Sequence, residues 1–174
     1  METEHLVLRE FAPDDADDLA LVLCDPECMR YYPAPIDRFG VDQWIARNLR
    51  RYAEDGVGLW AMVLKSSGEM IGDCGIIRQH VEGEHLYEIG YHLRRDHWGR
   101  GLATEAAIGC REWGFANLIV DRLISLIRPG NVPSCRVAER NEMTIRKEVP
   151  WRGLRHYVYA VERVRNKPPI NLSS

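Results

Sequence analysis

The sequence predicts an α/β (α+β) domain built on a mixed central sheet. Three apolar or alternating segments follow one another closely, at residues 59–65, 70–79 and 86–93, and short glycine-containing turns separate them. This spacing is typical of an antiparallel meander of strands. A long amphipathic helix follows the meander, and then strands and helices mix, an order that favours a sheet covered by helices.

The N-terminal third is predicted to supply one strand and two helices before the meander. Residues 6–11 form a short apolar strand, and Pro13 suits the first turn of the next helix because that position needs no amide hydrogen. Both helices carry apolar side chains at the three- and four-residue spacing of one helix face. These side chains are Ala16, Leu19, Val22 and Leu23, then Val41, Trp44, Ile45, Leu49 and Tyr52.

The remaining elements are predicted to be a helix at 102–117, a strand at 123–127, a helix at 132–140 and strands at 145–151 and 156–164. One face of the first of these helices consists of small residues that allow close packing on a sheet. They are Ala103, Ala106, Ala107, Cys110 and Gly114. We assign residues 1–166 to a single domain and the proline-containing residues 167–174 to a flexible C-terminal tail.

Length and composition exclude several classes of protein. A chain of 174 residues with 45% hydrophobic and 28% charged residues suits one soluble domain. The apolar runs are too short to cross a membrane and the start, Met-Glu-Thr-Glu-His, is unlike a signal peptide, so we expect a cytoplasmic protein without a membrane partner. A net charge of −3 disfavours nucleic acid and favours a cationic amine as partner. The cysteines and histidines lack metal-ligand spacing, so we expect no metal and reduced thiols.

Residues 97–105, His-Trp-Gly-Arg-Gly-Leu-Ala-Thr-Glu, predict a glycine-rich loop that leads into a helix. Gly99 and Gly101 let the backbone approach a ligand closely, and the first amides of the helix have no partners within it. The start of a helix also favours negative charge. This segment is therefore a candidate phosphate site, with Arg100 as an additional cation.

Two motifs resemble the GCN5-related N-acetyltransferases. The first is Glu-Ile-Gly-Tyr-x-Leu at residues 88–93 followed by Gly-Arg-Gly-Leu-Ala-Thr-Glu-Ala at residues 99–106, and the second is Asn131-x-x-Ser134-x-x-Val137. Their order and separation are similar to the branch that contains the ribosomal-protein alanine N-acetyltransferases. Two positions depart from the family pattern: Trp98 stands where many relatives have Arg or Gln, and Glu142 where a glycine usually ends a helix.

The resemblance implies a mixed sheet of about seven strands, mostly antiparallel, with flanking helices and a cofactor cleft where two strands splay apart. It implies acetyl-CoA as acyl donor, with its pyrophosphate on the glycine loop and its pantetheine arm in the gap. Backbone amides near Leu93, freed by a bulge, would polarise the thioester. The implied cofactor-binding residues are His92, Leu93, Arg94, Trp98, Gly99, Arg100, Gly101, Leu102, Ala103, Thr104, Asn131 and Ser134.

Direct acetyl transfer to an amine needs a group that accepts the proton of the amine and a group that protonates the leaving thiolate. Glu88 is the leading candidate for the base, directly or through water, and a structural role in the sheet is the alternative. Ser134 is the leading candidate for the acid, although a serine at a helix start could instead be a cap. Tyr157 and Tyr159 are alternative acids.

The acceptor is predicted only as a primary amine: a protein N-terminus, an amino compound or an amine antibiotic. The resemblance places its pocket between the first two helices and the last strands. Candidate lining residues are Met29, Arg30, Tyr31, Tyr32, Trp44 and Trp151. A non-catalytic acyl-CoA sensor is the second hypothesis, and both a monomer and a homodimer stay open. A dinucleotide-binding domain is disfavoured because antiparallel strands precede the loop.

Overall fold

A computed structural model describes residues 1–164, which form a seven-stranded sheet flanked by four α-helices. The predicted tail at 167–174 lies outside the described residues. Short 3₁₀ segments precede the first helix, at Pro13–Asp15, and the glycine loop, at Arg95–His97. In chain order the elements are β1 (Leu6–Arg9), α1 (Ala16–Leu23), α2 (Arg38–Asp55), β2 (Leu59–Leu64), β3 (Met70–Val81), β4 (Glu84–Leu93), α3 (Leu102–Asn117), β5 (Arg122–Ile127), α4 (Val132–Arg140), β6 (Thr144–Trp151) and β7 (Leu154–Glu162).

The strand order confirms the predicted fold class. The sheet runs β1-β2-β3-β4-β5-β7-β6, and its neighbours are antiparallel apart from the central parallel pair, β4 and β5. In the described sheet these two strands pair only at Glu88 and Ile124, whereas β4 pairs with β3 along its whole length. The sheet therefore opens into a gap beyond Glu88.

Both faces of the sheet are buried. On β2, Trp60 and Met62 belong to the core beneath α3, while Leu59 and Ala61 belong to the core beneath α1 and α2. This alternation follows from the two-residue period of a strand. The small residues of α3 let it approach closely: a Cβ added at Gly114 would lie 2.7 Å from Ile76 Cδ1. Close packing fixes the position of α3, and with it the start of that helix.

Two local features differ from the sequence predictions or extend them. Strands β3 and β4 are longer than predicted because a two-residue turn joins them; Glu82 and Gly83 have φ angles of 48° and 86°, which suit a turn matched to the strand twist. After α4, Glu142 adopts the left-handed conformation with φ 61° that favours glycine, and it pairs with Arg111 at 3.0 Å. The helix thus ends at the expected place without a glycine.

Candidate active site

The gap between β4 and β5 widens into a cleft of about 770 Å³. Residues of α2 and the β6–β7 turn line one part of it, and the glycine loop with the starts of α3 and α4 lines the other. Glu88 lies where the two strands last pair. The cleft therefore joins a phosphate-type loop to a second pocket through the central sheet.

Backbone amides of β4 face this gap. The amide of Arg94 donates to Ile71 O at 2.8 Å, and antiparallel strands alternate their hydrogen bonds between the two sides. In the register with β3, the amide of His92 therefore faces β3, while those of Tyr91 and Leu93 face the gap. The sequence prediction needs correction here: the amides of His92 and Arg94 face β3, and β4 keeps an unbroken register with β3 up to its end at Leu93 instead of forming a bulge.

The glycine loop has the backbone geometry that the sequence predicted. Gly99 and Gly101 have φ angles of 76° and 81°, and a Cβ at either position would meet no atom within 4 Å, so the loop surface is open. Leu102, Ala103 and Thr104 line the cleft at the start of α3, where amides lack helical partners. The loop is therefore a cradle of glycines and helix amides facing the cleft.

Side chains around the loop are arranged differently from the prediction. The indole Nε1 of Trp98 donates to Leu93 O at 2.8 Å and ties the loop to the end of β4. Arg100 is exposed and is not among the residues that line the cleft. Arg94 is held by the carboxylates of Glu69 and Asp96, each at 2.7 Å. Arg94 is therefore engaged by carboxylates of the protein, whereas the role of Arg100 as a phosphate ligand stays a prediction.

Asn131, and not Ser134, caps α4. Its side-chain Oδ1 accepts from the amide of Ser134 at 3.3 Å, so the hypothesis that the serine is the cap was wrong. Tyr91 donates its hydroxyl to the carbonyl of Ser134 at 2.9 Å, which links β4 to α4 across the gap. Among the described residues nothing hydrogen-bonds the Ser134 hydroxyl.

Glu88 is a buried carboxylate with only 9% exposure, at the closed end of the gap. Gln79 Nε2 donates to its Oε2 at 2.7 Å, and the amide of Leu126 on β5 donates to its Oε1 at 3.3 Å. Burial raises the pKa of Glu88. The two hydrogen bonds and the charge of the nearby Arg152 both lower this pKa, but they only partly offset the effect of burial. Glu88 is therefore a stronger base than an exposed glutamate.

A second buried network, missed by the sequence analysis, lies beside Glu88. His92 Nδ1 lies 2.6 Å from Asp73 Oδ1, and His92 Nε2 lies 2.6 Å from the hydroxyl of Tyr32 at the cleft. Trp44 Nε1 donates to the other carboxylate oxygen of Asp73 at 2.9 Å. Because the carboxylate only accepts, Nδ1 is the donor to Asp73; Nε2 accepts from the Tyr32 hydroxyl when the imidazole is neutral and donates to it when the imidazole is protonated.

The electrostatics of this network are set by Asp73, which is fully buried. Burial alone would lower the pKa of His92, but the Asp73 carboxylate outweighs it, and the pKa is raised above its usual value. No sequence motif marks Asp73, which lies in an apolar strand. Its sequence signal is that it is the only charged residue in the apolar run at residues 70–77.

Three other predicted residues lie away from the cleft. Tyr159 is buried in the core, where its hydroxyl faces Glu139 Oε1 at 3.5 Å and its ring packs edge-on against Tyr157. Neither tyrosine lines the cleft, which counts against both as the acid. Met29 is a core residue of the α1–α2 side with 1% exposure. The other proposed lining residues, Arg30, Tyr31, Tyr32, Trp44 and Trp151, do line the cleft.

Residues 1–164 show no candidate metal cluster and no candidate membrane span. That part contains no group of three His, Cys, Asp or Glu side chains arranged to hold a metal ion. None of its helices is both long enough and apolar enough to cross a membrane. All five cysteines are free thiols.

The fold and the cleft define an acetyltransferase, and comparison with known proteins agrees. Residues 5–144 match the family model described as "Acetyltransferase (GNAT) domain", so this chain belongs to the GNAT acetyltransferase family. It is 41% identical over 138 residues to the uncharacterized protein YkkB of Bacillus subtilis (strain 168), covering 77% of this chain and 80% of that protein.

Solved structures place the fold in the same family. An acetyltransferase from Agrobacterium tumefaciens str. C58 matches with a TM-score of 0.82 and 30% identity over 94% of each chain. RimL, a ribosomal L7/L12 alpha-N-protein acetyltransferase solved in complex with coenzyme A, shares the fold with a TM-score of 0.73 and 17% identity, over 92% of this chain and 95% of that chain. The similarity to the ribosomal-protein branch noted in the sequence is thus consistent with the fold.

Proposed function

We propose that this protein transfers the acetyl group of acetyl-CoA to a primary amine by direct attack of the amine on the thioester. One observation carries the proposal: the gap that exposes the amides of Tyr91 and Leu93 runs from the glycine loop to the buried carboxylate of Glu88. A donor arm lying in that gap would bring its thioester to the carboxylate.

The residues present fit acetyl-CoA. The open cradle of Gly99 and Gly101 and the first amides of α3 suit a pyrophosphate, which would be stabilised by the start of the helix. The amides of Tyr91 and Leu93 can bind the donor arm as an added strand would. Asn131 uses its Oδ1 to cap α4, which leaves its Nδ2 for the arm. RimL, which shares the fold, was solved in complex with coenzyme A, and this supports CoA as the ligand.

Acetyl-CoA supplies an activated acetyl group, and the chain must handle the protons. An amine is largely protonated at neutral pH, so a base must remove a proton before attack. Glu88 has the raised pKa of a useful base and is the first candidate. The second candidate is Nε2 of His92 in its neutral form, which lies four residues further along the same face of β4. The amide of Leu93 is the candidate donor to the thioester oxygen, and the hydroxyl of Ser134 the candidate donor to the leaving sulfur.

A free-thiol assay with acetyl-CoA and a panel of peptides, amino acids, polyamines and aminoglycosides tests the proposal. Release of CoA that depends on an amine, with a matching acetylated product by mass spectrometry, supports it. Tight CoA binding without turnover on any amine would instead favour the acyl-CoA sensor.

CoA and acetyl-CoA are expected to stabilise the folded protein. A ligand that binds only the native state adds about 2.7 kcal/mol at a hundredfold excess over its Kd. Thermal unfolding with increasing CoA measures the effect, with NAD and ATP as controls. A shift with NAD but none with CoA would contradict the assigned cofactor.

Gly101→Val is expected to raise the KM for acetyl-CoA by about tenfold or more. At φ 81° a β-branched residue is strained, and its side chain would occupy the space where the pyrophosphate is proposed to lie. Gly83→Val is a matched control, because Gly83 has φ 86° and equally open surroundings in the β3–β4 turn, at the opposite end of β4 from the loop. If the two variants lose similar stability and neither changes this KM, the phosphates lie elsewhere.

A further inference from the structure

Three arginines converge on the acceptor part of the cleft without carboxylate partners. Arg47 and Arg51 come from α2, and Arg152 comes from the β6–β7 turn; all three line the cleft. Among residues 1–164 none of the three forms an ion pair. By contrast, Arg78 at the edge of the same region pairs with Asp55 at 3.0 Å.

These arginines contact aromatic rings and an uncharged side chain, which position the guanidinium groups but do not compensate their positive charge. The guanidinium of Arg47 lies 5.3 Å from the ring centre of Trp44, and that of Arg152 lies 4.3 Å from the ring centre of Trp151. Arg51 makes one long hydrogen bond, 3.4 Å, to the side-chain oxygen of Asn48. Stacking on a ring leaves the edge of a guanidinium and its N–H donors available. Most of their donors thus remain free for a ligand.

Their charges also oppose one another. Burial lowers the pKa of Arg47 and of Arg51, and the charges of neighbouring arginines lower both further; at Arg51 the carboxylates of Asp55 and Glu88 offset this only in part. Of the two carboxylates near these arginines, Asp55 pairs with Arg78, and Glu88 accepts hydrogen bonds from Gln79 and Leu126. Arg47 and Arg51 are half-buried and Arg152 is exposed at the rim. Like charges gathered in this way cost free energy, and an anion bound among them would relieve that cost.

We infer that the acceptor is an anionic amine, which presents a carboxylate or phosphate group to Arg47, Arg51 and Arg152 while its amine faces Glu88. This inference rests on the proposed function and names the substrate class of the same site. It reverses the expectation from the net charge of −3, because the charge at the pocket and not over the whole surface decides which acceptor binds. Polycationic amines such as polyamines and aminoglycosides are then poor acceptors.

Matched acceptor pairs test the inference. An Ala-Glu peptide amide is compared with its Ala-Gln counterpart, and phosphoethanolamine with ethanolamine, in the free-thiol assay at saturating acetyl-CoA. The anionic member of at least one pair is expected to have a kcat/KM higher by roughly tenfold to a hundredfold, the range of charge-assisted hydrogen bonds. The two pairs distinguish a carboxylate from a phosphate. Equal kcat/KM within both pairs would overturn the inference and leave the acetyltransferase proposal intact.

Variants locate the charge preference. Arg47→Gln, Arg51→Gln and Arg152→Gln are each expected to raise the KM for the preferred anionic amine by about tenfold, with the KM for acetyl-CoA and for the neutral amine unchanged. Arg50→Gln is the matched control, because Arg50 is an exposed neighbour on α2 that does not line the cleft. Melting curves show which variants are folded. An unchanged KM in three folded variants would contradict the site.

A binding measurement separates failure of this inference from failure of the proposed function. Titration calorimetry of each acceptor into the CoA-saturated protein needs no turnover. Binding that favours the anionic member tenfold, and that is lost in the arginine variants, supports the inference even if no acetyl transfer is detected. Equal binding of both members would overturn it, whereas a protein that binds no CoA would overturn the proposed function itself.

Discussion

Glu88→Gln is expected to lower kcat by about 10²- to 10⁴-fold while the KM for acetyl-CoA stays nearly constant, if Glu88 is the base. Glutamine keeps the size of the side chain and can still accept from the amide of Leu126, but it cannot take a proton from the amine. Steady-state kinetics with the best acceptor of the panel measures both constants.

The role of Glu88 as the base also predicts how activity changes with pH. Because the carboxylate must be ionised to act, activity should fall as the pH drops through the pKa of Glu88, and burial places that pKa above the usual value. The acidic limb of the kcat/KM profile should therefore lie above the value of about 4.3 that is usual for glutamate. In Glu88→Gln this limb should disappear.

Glu84→Gln is a suitable control for this change. Glu84 begins the same strand and projects from the same face, but it is exposed and pairs with Arg122. Its variant should keep full activity. If Glu88→Gln loses stability and rate in equal measure, or keeps its acidic limb, Glu88 is a structural residue and His92 becomes the leading base.

Asp73→Ala is expected to lower the free energy of unfolding by about 3–5 kcal/mol, the loss that follows when one partner of a buried charged network is removed. The substitution would leave the indole N–H of Trp44 and the imidazole N–H of His92 buried without an acceptor. Urea unfolding followed by tryptophan fluorescence measures the loss. Asp42→Ala, which removes an exposed partner of Arg38, should cost about 1 kcal/mol or less.

The free energy of unfolding lost in Asp73→Ala should depend on pH. The pKa of His92 is raised in the folded protein, so its interaction with Asp73 stabilises the fold fully below the usual histidine value of about 6.5. That part of the stability is lost as the pH rises through the raised value. Between pH 5 and 9 the difference between the wild type and Asp73→Ala should therefore shrink, but the bond from Trp44 should keep it above zero. A difference that is small and independent of pH would contradict a charged pair.

Much of the fold was predictable because it depends on local rules. The bounds of α3 and α4 follow from helical periodicity, and the structure has both helices where they were predicted. The meander followed from alternation of apolar residues. The glycine loop was visible because a positive φ at two nearby positions almost requires glycine.

The errors at the candidate site have a common physical cause. Whether an amide of β4 faces β3 or the gap depends on strand register, so the sequence could not show that Leu93 is available and Arg94 is not. Asn131, three residues before Ser134, is the N-cap of α4, and its side chain accepts from the amide of Ser134. Successive side chains of β7 point to opposite faces of the sheet, and only the packing of the sheet decides that the face carrying Tyr159 is buried in the core.

The sequence by itself determined the class of fold, the phosphate-type loop and the family, because each rests on short-range patterns of glycine, apolar spacing and motif order. The tertiary structure alone brought Asp73, His92 and Tyr32 into one network and placed three arginines around the acceptor pocket. Arg47 and Arg51 share α2, but the other residues come from separate parts of the chain: Asp73 and His92 are 19 positions apart, and Arg47 and Arg152 are 105 positions apart. Long-range contacts of this kind depend on how the elements pack, and no local pattern in the chain encodes them.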